Sequence, residues 1–244
     1  MPPGDEPPLS RFHRRIQEKA ADPWAAPVLI VAFGDSVTQG ATVGDEIAHE
    51  GVYHARFKRL LEQRYRHSTF SMVNAGAGGQ TAPGALALIE RDVIRHQPDL
   101  TLVGFGLNDV WGGLDGLHDF VDGLTQIVRQ LRDRTESDLI LLTPNFMVTR
   151  GRSGNDTEDQ SLARAADDLQ RGGVLAAYAS AIRELAREHS HPCADVYRAW
   201  EELVERGVDV NPMLANHLNH PTAEAHAIPA ELLIELVVAA EVSK

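Results

Sequence analysis

Residues 27–40 read Pro-Val-Leu-Ile-Val-Ala-Phe-Gly-Asp-Ser-Val-Thr-Gln-Gly. Pro27 to Phe33 is a near-continuous apolar run, which is the pattern of a strand covered on both faces in a parallel sheet. A polar turn with glycines at 34 and 40 follows at once. Outward from this segment, similar runs return at 69–73, 100–105 and 138–143, with a weaker one at 193–197. Helical patterns fill the intervals, at about 51–65, 81–96, 115–134, 160–188 and 221–241. Strands alternating with helices of this length, joined by right-handed crossovers, predict an α/β fold. The expected form is a three-layer α/β/α sandwich with a central parallel sheet of about five strands.

A chain of 244 residues accommodates one such domain without disulfide or metal support. The expected division is an N-terminal extension, 1–24, followed by the α/β domain, 25–244. In the extension, residues 1–8 are Pro-rich and read as disordered, whereas Leu9, Phe12 and Ile16 recur at helical spacing and predict a short amphipathic helix. Residues 144–160 lack periodicity and read as a lid or specificity loop over the strand ends.

The net charge of −12 argues against a nucleic-acid partner. Cys193 is the single cysteine, so neither an intrachain disulfide nor a cysteine metal cluster is available, and it reads as a small buried apolar residue. No apolar run reaches the ~18 residues of a membrane span, and the charged N-terminus lacks the apolar stretch of a secretion signal. A cytoplasmic protein is the expectation; the oligomeric state is left open.

Four short segments carry the chemistry. Gly34-Asp35-Ser36 places a serine just beyond a strand, where open parallel sheets bind ligands. Asn74-Ala-Gly-Ala-Gly-Gly-Gln-Thr81 exposes backbone N–H groups after the second strand, a place for an oxyanion, without the spacing or lysine of a phosphate loop. Gly106-Leu-Asn-Asp109 follows the third strand, and the Asn108 amide there suits a developing oxyanion; otherwise Asn108 and Asp109 shape the turn. Asn216-His-Leu-Asn-His-Pro-Thr-Ala-Glu-Ala-His226 precedes the last helix and offers histidines as general base. Its H-x-x-H spacing is not the helical pair of a zinc protease, so no metal is expected. Nucleophile, oxyanion donors and base on one sheet edge satisfy the requirements of acyl transfer.

These segments, in this order from about Pro27 onward, resemble the SGNH hydrolase superfamily, the GDSL esterases and lipases. Gly34-Asp35-Ser36 matches its nucleophile block, Gly79 its glycine block, Gly106-Leu107-Asn108-Asp109 its G-x-N-D block, and His220-Pro221 its histidine block. The resemblance implies a flavodoxin-like SGNH fold and a serine ester hydrolase needing no cofactor, acting on a small-molecule ester. Ser36 is then the nucleophile and His220 the general base, with an oxyanion hole formed by Ser36, Gly79 and Asn108. At the family level, small acyl esters are expected, including O-acetyl groups on carbohydrate. A thioesterase or lysophospholipase, and an inactive ligand-binding module on the same fold, are the alternatives.

One departure stands out. The family places an aspartate three residues before the histidine, and here that residue is His217. Either the enzyme works as a Ser–His dyad, or a backbone carbonyl or Asp195 orients His220. His217 reads as structural, and Asp35 as a stabiliser of the turn. Trp111 either lines an acyl or sugar pocket or packs in the core. Phe146 and Met147 line the pocket only if the long loop folds over it.

Overall fold

The computed structural model describes residues 7–44, 46–149 and 157–242. Residues 1–6 of the expected disordered start and 150–156 of the expected lid lie outside them.

The chain opens with helix α1 (Ser10–Ala21), then strand β1 (Val28–Gly34), a single turn α2 (Ser36–Gln39) and α3 (Tyr53–Arg64). Next come β2 (Phe70–Gly76), short helices α4 (Ala82–Ala85) and α5 (Ile89–Asp92), and β3 (Leu100–Gly104). Helix α6 (Leu117–Arg134), β4 (Asp138–Leu142), α7 (Thr157–Arg171) and α8 (Val174–Glu188) follow. The chain closes with β5 (Cys193–Ala194), α9 (Val196–Glu205) and α10 (Ala227–Val242).

All five strands pair in parallel in the order β2-β1-β3-β4-β5. β1 is therefore the strand from which the chain first winds one way, to β2, and then the other, to β3. The carboxyl ends of β1 and β3 form a topological switch point, where such sheets leave a crevice. Along β1, Val28, Ile30 and Ala32 join one core with α1, α3 and α10. Val31 and Phe33 join the other, with α4 to α6, α8 and α9. That two-sided burial is the reason the strand reads as unbroken apolar sequence.

Leu9, Phe12 and Ile16 bury the inner face of α1, and the Phe12 amide donates to Asp138 at the start of β4 (2.7 Å). The 81–96 pattern breaks into α4, α5 and a 3₁₀ turn at 94–96, with interruptions at 86–88 and at Val93. The 160–188 pattern divides at Gly172-Gly173, with Gly173 in the left-handed region (φ 75°). Only the first two residues of the weak run at 193–197 are strand; Asp195 caps α9 by accepting from the Arg198 amide, so Val196 and Tyr197 are helical.

Candidate active site

Chain geometry at the end of β1 presents Ser36. The Asp35 carboxylate accepts from the Val37 amide (2.9 Å) and its carbonyl from the Gln39 amide (2.9 Å), so a helical turn opens on the serine. Asp35 is almost wholly buried, and burial foremost pushes its pKa up to about 7; the Val37 amide opposes this and Asp109 adds to it. The turn lies against the end of β2 because Gly76 has no side chain: a Cβ there would stand 2.1 Å from the Gln39 nitrogen. Gly79 adopts φ 73°, a conformation that favours glycine, and apart from its chain neighbours no described residue lies within 4 Å of where its Cβ would be. The Gly79 face is thus open.

The turn after β3 is tied to the turn after β2. Asp109 accepts from the Ala82 amide through one oxygen (2.9 Å) and from the Gly106 amide through the other (3.1 Å). Burial is the main cause that raises its pKa, to about 6, against the pull of those amides. The Asn108 side-chain amide donates to the Gln80 carbonyl (3.0 Å), which sets it beside Gly79. The sequence offers Asp109 only as a turn residue; its reach across to Ala82 depends on a long-range approach that no local pattern announces.

His220 comes from a loop built on Asn216. One Asn216 oxygen accepts from the amides of Leu218, Asn219 and His220 (3.0, 2.9 and 2.8 Å). The loop leans on the segment after β4, where the Val148 amide donates to the Leu218 carbonyl and Asn145 donates to the Asn219 carbonyl. His220 Nε2 lies 3.0 Å from Ser36 Oγ, and Nδ1 lies 3.0 Å from the Thr42 carbonyl. A carbonyl only accepts, so Nδ1 carries the proton and the Nε2 lone pair faces the serine hydroxyl. Thr42 sits in a loop closed by the Ala41–Ile47 bridge and by two bonds from Thr42 to the Glu46 carbonyl.

Asp195 does not orient His220. Its carboxylate is clamped by Arg183 through two bonds of 2.8 Å and accepts from Thr143 Oγ1 (3.1 Å) and the Arg198 amide. Burial pushes its pKa up, but Arg183 and the capped amide outweigh that and hold it below the ordinary carboxylate range. His217 is exposed, at φ 56°. Trp111 stands at the surface near Asn108, 38% exposed, and is not a core residue. Phe146 and Met147 are buried; Phe146 packs against Tyr197 and Trp200, so they do not line an open pocket. Half-buried Cys193 has its thiol pushed up to about 12, chiefly by burial. Among the described residues no group of three or more His, Cys, Asp or Glu is placed to hold a metal, and no helix is long and apolar enough to cross a membrane.

The sequence profile of the GDSL-like lipase/acylhydrolase family matches residues 32–228, a span that contains all four segments. The chain belongs to this family. As a GDSL-like acylhydrolase it is a carboxylic ester hydrolase of the serine type. It is similar to the acetylxylan esterase of Geobacillus stearothermophilus, at 26% identity over 190 residues covering 75% of this chain and 78% of that protein. The crystal structure of Axe2, an acetylxylan esterase from the same organism, superposes with a TM-score of 0.66 at 21% identity, covering 86% of this chain and 94% of Axe2. The acetyl xylan esterase AlAXEase gives a TM-score of 0.65 at 18% identity, covering 86% of this chain and 100% of its own. Catalytic mutants of Axe2 replace a serine, a histidine or an aspartate by alanine. This GDSL-like chain keeps serine and histidine side chains in contact and has His217 where the family pattern has the aspartate.

Proposed function

We propose that this acylhydrolase removes acetyl groups from carbohydrate esters through an acyl-enzyme on Ser36, with His220 as base and the Thr42 carbonyl in place of the acid. The 3.0 Å approach of His220 Nε2 to Ser36 Oγ, with Nδ1 fixed by Thr42, carries the reading. Ser36 Oγ attacks the ester carbonyl as its proton passes to Nε2. The carbonyl oxygen becomes an oxyanion, held by the amides of Ser36 and Gly79 and the side chain of Asn108. Support for the Ser36 amide comes from its place at the start of α2, where an N–H has no carbonyl one turn back. The open face of Gly79 leaves room for substrate. His220 then protonates the leaving alcohol, and water repeats the sequence on the acyl-enzyme.

A triad carboxylate does two things: it keeps the imidazole in the correct tautomer and stabilises the imidazolium. The Thr42 carbonyl supplies the first fully and the second only as a dipole. The acetyl and carbohydrate preference rests on similarity to esterases of acetylxylan.

The test is release of acetate from acetylated xylan, alongside hydrolysis of p-nitrophenyl acetate and butyrate. Ser36→Ala and His220→Ala are each expected to lose about 10⁴-fold or more in kcat. Turnover of long-chain thioesters or lysophospholipids with no acetate release would replace the substrate assignment. A wild type silent on every ester and thioester, yet binding ligand, would leave the inactive-module reading.

A further inference from the structure

A cavity of about 40 Å³ lies beneath the Ser36 turn, between the strand ends and the start of α10. Neither Ser36 nor His220 lines it; Asp35, Tyr53, Leu142, Trp200, Ala225 and His226 do. His226 is wholly buried, and neither of its ring nitrogens has a partner among the described residues. Burial first, then His54, Arg56 and His220, push its pKa down to about 3, so the ring is neutral and offers one donor and one acceptor. Trp200 Nε1, also wholly buried and also on this wall, is a donor without a partner among the described residues. Buried polar groups of this kind are satisfied by ordered water wherever there is room. A water needs about 10–15 Å³ of such space and two to four polar partners, so this volume takes roughly three or four.

We propose that the cavity is an internal water site in which water held by His226 and Trp200 bridges to the Asp35 carboxyl, making His226 a positioning residue for the nucleophile turn. This rests on the reading of Ser36 as nucleophile and extends it one layer inward. Water donating to Asp35 favours its ionised form. The ionised carboxylate is the stronger acceptor for the Val37 amide, and that bond aims the turn bearing Ser36.

Other groups face this assembly from each packed element. From α3, the Tyr53 hydroxyl pairs with Thr38 Oγ1 (3.1 Å), and His54 Nε2 donates to the Thr38 carbonyl (3.0 Å). Burial raises Tyr53 and lowers His54 to about 4, so neither changes charge in the neutral range. Asp109, after β3, disfavours the Asp35 charge, while Arg56 and His220 disfavour charge on His226.

The experiment combines a high-resolution crystal structure of the wild type with p-nitrophenyl acetate kinetics from pH 5 to 9. Ordered water within hydrogen-bond reach of the His226 ring is expected. His226→Phe is expected to lower kcat about tenfold with KM within about twofold, and to move the acid limb of kcat to higher pH. His226→Gln keeps polar atoms at the water and is expected to stay within about threefold, with its acid limb unmoved. A dry cavity overturns the water site, and matching kcat and pH limbs in the Phe and Gln variants overturn the positioning role. If His226→Phe does not fold, Trp200→Phe serves, with a smaller shift of the limb in the same direction expected and no shift counting against the role. Ser36→Ala is run in parallel: an active variant sinks the nucleophile reading, while the water density is judged by itself.

Discussion

The two halves of the site are built by different means. On the nucleophile side, three turns issue directly from β1, β2 and β3, and buried carboxylates at Asp35 and Asp109 bind their amides together. On the histidine side, no strand leads into the loop; Asn216 gathers three amides, and a carbonyl from a separate loop meets the ring. The first half is fixed by the sheet, and a displaced residue there disturbs the fold. The second is fixed by a few polar contacts. That difference explains how the acid of the family pattern is absent on the histidine side while the nucleophile side keeps every block.

The largest expected effect tests the strand-end half. Asn108→Ala should lower kcat roughly 10²–10³-fold, about 3–4 kcal/mol, if its amide meets the oxyanion. A loss below tenfold would mean its bond to Gln80 is its whole role.

Next is the charge stored under that half. Asp35 has its pKa raised, so the folded state holds its proton more tightly than the unfolded chain, and stability from this group falls as pH rises from about 4 to about 7. Asp35→Asn keeps an oxygen for the Val37 amide and removes that loss. It should stabilise the protein at pH 8 by a few kcal/mol at most, about 2–4, with no gain at pH 4. Denaturant unfolding at both pH values reads this directly.

The neutral histidines, buried at 54 and 226 and half-buried at 191, act with the opposite sign. His54, His191 and His226, lowered to about 4, 4 and 3, bind protons only when unfolded, so their contribution is lost as pH falls below about 6.5. Between pH 4 and 6 the unfolded chain gains three protons on these and lacks two on Asp35 and Asp109. The net slope is a rise of about 1.4 kcal/mol per pH unit. A flat profile would break this balance.

The histidine half gives the smaller effects. Asn216→Ala leaves three amides without their acceptor and should cost about 1–3 kcal/mol of stability, with kcat down about tenfold. An unchanged kcat would show that the loop holds its shape through its other contacts alone. His217→Asp restores the family residue, yet position 217 is exposed and Nδ1 already has an acceptor. Its kcat should stay within about threefold. A gain above tenfold would show that the missing charge limits the enzyme and would make Thr42 a poor substitute.

The same division governs how much could be read beforehand. β1, β3 and β4 are legible because each is covered on both faces, which leaves a solid apolar run, whereas β2, at the edge of the sheet, is partly exposed and is marked only by Phe70, Met72 and Val73. β5 and α9 are not, since Val196 and Tyr197 are apolar in either form and only the cap at Asp195 decides between them. Ser36, Gly79 and Asn108 stand at strand ends, so their neighbourhood follows from the topology. Thr42 has no legible signal, because a main-chain oxygen is common to every residue. Asp195 reads as available from its place at a strand end, but the side chain of Arg183, twelve residues earlier, holds it.

The Thr42 oxygen belongs to no side chain, and this alters how the gene bears mutation. A triad aspartate is lost by one codon change, whereas exchange of Thr42 for another residue leaves its carbonyl in place. Saturation mutagenesis should therefore find position 42 permissive beside intolerant 36 and 220, with damage concentrated in insertions, deletions and prolines that redirect the 41–47 loop. In lineages bearing this arrangement, the third arm of the site would drift freely in sequence while remaining fixed in shape.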